Sequence, residues 1–310
     1  MNGARISVGT LLAIVLSCSV SRGGEPCLWE AAREPRRSLD VTALRAAEAA
    51  YLQAGTSNDP RARRLVLYAV RTLERADAAS SPDPRVRFFF GRMLSRVDQD
   101  ERAVEVLLDA IAFAPHHPSV NEALFALAVC LARLGRSEQE ILAYGQWLDR
   151  EWSREHRAIG LSNLAEAFMA AGRIDEAVRS YRDATVHAHD NALAHWGLAV
   201  ALDRSGDPAG ALEAARAALT YDPDAAQIDS PDVFFVPAHD RFWYHAVGSM
   251  ARAATLQDIA LQRAHWQRAA LYWQQYLDVA PLDDRWVPIA RLRRSHCEQR
   301  AVALERSRPR

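Results

Sequence analysis

The sequence predicts an all-α protein, an array of short antiparallel helix pairs stacked side by side, and three observations predict it. Between Ala192 and Asp224 two apolar runs flank a Gly206-Asp207-Pro208 break. Leu198, Ala199 and Leu202 share one face of the first run, and Leu212, Ala215, Ala218 and Leu219 one face of the second, at the helical step of 3–4 residues. Small residues stand where the two helices must touch: Ala199 on the first, Ala211 and Ala218 on the second. The pattern also recurs, with Ala103, Ala177 and Ala211 separated by 74 and 34 positions. A fixed period of this size marks units that cannot bury their apolar faces alone and stack to do so.

Taken in order, residues 25–38, with Pro26, Pro35, Arg36 and Arg37, read as an irregular lead-in. A first pair occupies 39–80: Leu39 to Ala54 ends at Gly55, and Arg61 to Ala79 follows a capping turn at Asp59-Pro60. The expected stripe of its second helix is Leu65, Tyr68, Ala69 and Leu73. Pairs follow at 84–117, 121–154, 158–191 and 192–225; Pro115 and Pro223 close the first and last of these. In the 121–154 pair Glu140 stands where Ala103 stands one pair earlier, which predicts looser packing or a local shift of register.

Residues 225–239 interrupt the array. Val233-Phe234-Phe235-Val236 lies between Pro231 and Pro237 and predicts extended chain. Two readings stand: a linker that buries Phe234 and Phe235, or a strap that occupies or shapes a ligand groove. A further pair spans 240–282, its extra residues Leu256 to Ala264 implying two longer helices, and a polar helix over 285–305 suits a solvating end cap.

Gly91, Leu94, Ala103, Leu107, Ala110 and Pro115 resemble the signature of the tetratricopeptide repeat, a 34-residue helix–turn–helix. So do Leu164, Ala165, Phe168, Ala177, Tyr181 and Ala184, and again Leu198, Ala199, Leu202, Ala211, Ala215, Ala218 and Pro223. Glu140, Trp147 (for a small residue) and His189 (for the closing proline) depart from it. The resemblance implies a right-handed α-α superhelical solenoid over 39–305 whose first helices line a concave surface. It also implies a non-enzymatic scaffold that binds another protein or peptide segment. The ligand-facing columns of the family fall here on Phe88, Phe125, Ser162, Trp196 and Tyr244, and on Arg96, Arg133, Ala170, Arg204 and Arg252, with Arg92 beside them. Aromatic rings and arginine forks suit an extended or helical partner segment. In the other reading the rings pack between repeats and the arginines are solvated. Chaperone-binding members clamp a carboxylate with Lys and Asn; the chain has Asn163 but no lysine at all.

The 310 residues carry a formal charge of −1, and all 38 basic residues are arginine. That balance argues against a nucleic-acid partner, which calls for a basic domain. Arg5 followed by the apolar run Ile6–Val20 and small or polar residues to Gly24 has the form of an export signal over 1–24. Val15-Leu16-Ser17-Cys18 resembles a lipobox, which would attach the protein to a membrane through Cys18. Export, to the periplasm or the outer membrane, is therefore the expected localisation. No Cys-x-x-Cys, Walker A, His-Glu-x-x-His or Gly-x-Ser-x-Gly motif occurs, and no cofactor or metal is expected. Cys27 and Cys297 flank opposite ends of the chain, and a bridge would require those ends to meet. Two other functions remain in view. One is an assembly role in an envelope complex through the convex face or the insertion at 225–239. The other is a metal or catalytic role for His187, His189, Asp190 and His195, or for His239, Asp240 and His245.

Overall fold

The computed structural model describes residues 28–306 apart from 56, 58, 231, 232 and 236, with side chains from Leu39 onward. The Ile6–Val20 run, Cys18 and Cys27 lie outside the described residues. The chain divides into two units, one ending at His117 and the other beginning at Pro118.

The first unit holds α1 (Leu28–Ala54), α2 (Pro60–Arg75), a single 3-10 turn (Ala78–Ser80), α3 (Pro84–Arg96) and α4 (Asp100–Phe113). Each helix packs on the next, and α1 also reaches α3. α1 begins at Leu28, so residues 28–38 are helical and not irregular. Leu28 to Glu34 is rich in good helix formers, and Pro35 removes only one amide donor from a long helix. The buried stripe of α2 is Ala62, Val66, Ala69, Val70 and Leu73; Tyr68 faces outward. Two helical ladders overlap there, sharing Ala69 and Leu73, and the valine ladder is the one turned inward.

The second unit holds α5 (Val120–Arg133), α6 (Ser137–Leu148), α7 (Arg154–Ala170), α8 (Ile174–His187), α9 (Ala192–Ser205), α10 (Pro208–Tyr221), α11 (Asp240–Thr255), α12 (Ile259–Val279) and α13 (Val287–Arg306). Consecutive helices pack on one another throughout, α7 also touches α9, and α9 touches α11. The first helices of successive pairs thus line up as one face. Ala177, Ala211 and Ala269 share one core with Tyr181, Trp196, Trp243, Trp273 and Tyr276. No helix among the described residues is long and apolar enough to cross a membrane.

In the pairs up to α10 the turn between the two helices takes one residue into the left-handed region. Gly135, Gly172 and Gly206 supply it at φ 67°, 77° and 90°, while Asp98 does so between α3 and α4 at φ 60°. The departure at Trp147 is absorbed by its neighbour: a Cβ on Gly160 of α7 would lie 2.1 Å from Trp147 Cζ3. Glu140 causes no shift of register. Its amide keeps the helical bond to Arg136 O at 3.0 Å, and its side chain is buried.

Candidate functional site

The first-helix face of the second unit carries a cleft of about 340 Å³. Glu166, Met169 and Ala170 of α7, Arg204 of α9, His239 and Asp240 at the start of α11, and Asp283 to Trp286 before α13 line it, together with Pro237 and Pro281. Each wall has its own polar network.

On α7, Glu166 receives the hydroxyls of Tyr181 (α8) and Tyr244 (α11) on the same oxygen, Oε1. Tyr181 is placed by a close approach, since a Cβ on Gly197 would lie 2.2 Å from its ring. Removal from water raises the Glu166 carboxyl above its ordinary range, and the two tyrosine hydroxyls only partly offset this. Glu140 nearby is pushed up to about 8, first by burial and then by the charge of Glu166.

On α9, Arg204 is 2% exposed in its side chain and grips Asp240 with both terminal nitrogens, at 2.8 and 3.1 Å. Its guanidinium carbon lies 4.6 Å from the Trp243 ring centroid and 5.0 Å from that of Trp286. Burial opposes its charge, but Asp240 outweighs burial and raises its pKa. Among the described residues Arg204 Nε has no hydrogen-bond partner. At the third wall Asp284 accepts from Trp286 N (2.8 Å) and from the Tyr276 hydroxyl (3.1 Å), and His239 Nε2 lies 3.1 Å away. Burial raises the Asp284 carboxyl, but these contacts prevail and hold it below the usual range. Arg285, exposed, extends from this loop over the α7–α8 turn, its Nη1 where a Cβ on Gly172 would fall.

The ring column is mostly packing. Phe88, Trp196 and Tyr244 are buried. Phe88 stacks on His117, Trp196 donates its ring N–H to Asp222 at 3.2 Å, and Phe125, half-buried, meets Tyr144 and Trp147. Asn163 donates to the Tyr144 hydroxyl at 3.0 Å. Expected as groove contacts, Phe88, Trp196 and Tyr244 are internal because neighbouring repeats close over the fifth position, while Phe125 and Asn163 are half-buried. The arginine column divides. Arg96 donates to Gly55 O and Ser57 O and covers Tyr51, Arg252 donates to Pro223 O, and Arg204 is sealed with Asp240. Arg92 is half-buried in the first unit. Arg133 is exposed and lies over the Phe234 ring at 5.6 Å. The cleft joins Arg204, His239 and Asp240, named from the sequence, to residues that were not, Glu166, Asp284, Arg285 and Trp286. A signal did exist for Glu166, a lone acid in the first-helix column that also holds Arg92.

Most of the candidate histidines serve as ring partners. His195 stacks on Tyr221 at 6.0 Å and its Nε2 lies 2.8 Å from His189 O; His245 stacks on Tyr272 and bonds Asp229. Among the described residues no group of three or more His, Cys, Asp and Glu is placed to hold a metal ion. Cys130 and Cys297 are buried, and among the described residues neither forms a disulfide.

Residues 100–154 and 162–226 match the tetratricopeptide repeat family. No curated protein matches the chain. Solved structures share the fold. The MamA structure labelled MSR-1 C2 is 18% identical, covers 62% of this chain and 98% of its own, and has a TM-score of 0.50. MamA AMB-1 is 17% identical over 61% of this chain and 93% of its own, also with a TM-score of 0.50. A further MamA structure is 14% identical over 63% and 98%, again at 0.50.

Proposed function

This chain carries tetratricopeptide repeats, and we propose that it is a non-enzymatic protein–protein interaction scaffold of the cell envelope. Its partner segment enters the cleft on the first-helix face of the second unit. The observation that carries the reading is the composition of that cleft: three first helices and the loop before α13 converge on it. A segment seated there touches several repeats at once, the way stacked helix pairs form a binding surface. The exposed Asp283 and Arg285 at its rim offer one charge of each sign to peptide side chains. The envelope setting is supported by Arg5 and the Ile6–Val20 run.

The test is capture from an envelope extract with the full chain as bait, comparing wild type with Asp283→Lys/Arg285→Glu. Both rim residues are exposed, so the fold should be kept. The expected result is a partner retained by wild type and lost by the variant at equal melting temperature. Equal capture by the two would remove the cleft from the interaction.

A further inference from the structure

The residues just before α11 lie on the same face as the cleft. Asp222 accepts from the Ala226 and Gln227 amides at 2.9 and 3.2 Å, and Ile228 is buried. Asp229 holds Arg241 and His245 at 3.1 Å each. The far end is held by His239 against Asp284. Between these anchors Val233, Phe234 and Phe235 form neither helix nor strand. The Phe234 ring is 49% exposed under the Arg133 guanidinium of α5, and the Phe235 ring meets Tyr244 of α11 edge-on at 4.9 Å. Pro237 completes the wall shared with Met169 of α7 and Arg204 of α9. A few residues therefore touch the first helices of the first and last pairs in this unit and border the same cleft as those of the two between.

We propose that Phe234 and Phe235 are a resident ligand of the first-helix face. The partner this face takes is then an extended protein segment with two consecutive aromatic residues, which must displace them. The proposal rests on the reading of that face as a binding surface. The strap shows which chemistry the face accepts: one ring beneath a guanidinium, the next against a tyrosine whose hydroxyl is tied to Glu166. Contacts of this kind, one of them half in solvent, are individually weak. They hold because both ends of the strap are tethered, which keeps the rings at an effective concentration on the order of millimolar. An outside segment competes with that concentration, so freeing the face raises its affinity.

The probe is a labelled synthetic peptide with the sequence of residues 226–240, titrated onto the full chain by fluorescence anisotropy. Phe234→Ala/Phe235→Ala is expected to bind it at least tenfold tighter than wild type. A peptide with both phenylalanines replaced by alanine is expected not to bind, and adding Arg133→Gln to the chain should weaken capture several-fold. If the double variant does not fold, Phe234→Ala alone, half in solvent already, should still gain about threefold. Equal binding to wild type and variant, binding to neither, or binding of the alanine peptide would overturn the proposal. So would a wild-type dimer that the double variant loses, since the strap would then be exchanged between copies. Envelope capture is independent: peptide binding without an envelope partner leaves this inference standing, and capture without peptide binding sinks it alone.

Discussion

Arg133 and Arg204 are each the thirteenth residue of their repeats, on helices of the same kind, yet one is exposed and the other sealed. Around Arg204 the next first helix supplies Asp240 and Trp243, and Trp286 closes the other side. Arg133 lies over the Phe234 ring, itself half in solvent. The comparison teaches that the repeat position fixes where a side chain begins, while the following pair decides whether it becomes structure or surface.

The largest effect should come from breaking the sealed end. Arg204→Met leaves Asp240 buried without its cation and should cost about 3–5 kcal/mol by urea denaturation. Arg204→Met/Asp240→Leu should recover most of it, because a buried pair can be replaced by apolar side chains of similar volume. Failure of the double variant to recover would show that the two tryptophan contacts, and not the charge pairing, hold this region. Next, Gly197→Ala drives a methyl to 2.2 Å from the Tyr181 ring. It should cost about 1–3 kcal/mol, seen as a lower melting temperature.

The third prediction concerns pH. The Glu140 carboxyl is pushed up to about 8 from 4.5, so between those values the folded chain binds its proton more tightly than the unfolded one. Its contribution is full below pH 4.5 and is lost as pH rises toward 8. Glu140→Gln cannot ionise; it should flatten that part of the stability curve. At pH 8 it should exceed wild type by at least about 1.4 kcal/mol, the equivalent of one pKa unit. A parallel pair of melting curves against pH would contradict this. The smallest effect belongs to the open end: Arg133→Gln should stay within about 0.5 kcal/mol. A larger loss would mean that Arg133 is as structural as Arg204.

Much of the fold was legible because helical spacing is a local property. Ala177, Tyr181, Ala211 and Ala215 stand at the periodic steps and all lie in the core. Pro35 misled: an interior proline costs one backbone bond and crowds the carbonyl four residues back, yet α1 passes through it. The cleft was much less legible. Arg204 and Asp240 are 36 positions apart, and Arg293 reaches Asp203 across 90. Spacing within one repeat says nothing about which distant loop folds against it. The histidines near residue 190 looked like a cluster in sequence, yet the His189 and His195 rings pack against Tyr221.

Trp147 fits only because Gly160 leaves its ring room across the boundary from α6 to α7. Bulk surrendered by one repeat is spent by its neighbour, so these units are not interchangeable spare parts. Transplanting the 121–154 pair beside any repeat with a side chain at that point would collide at the seam. The order of the array is thereby written into its joints.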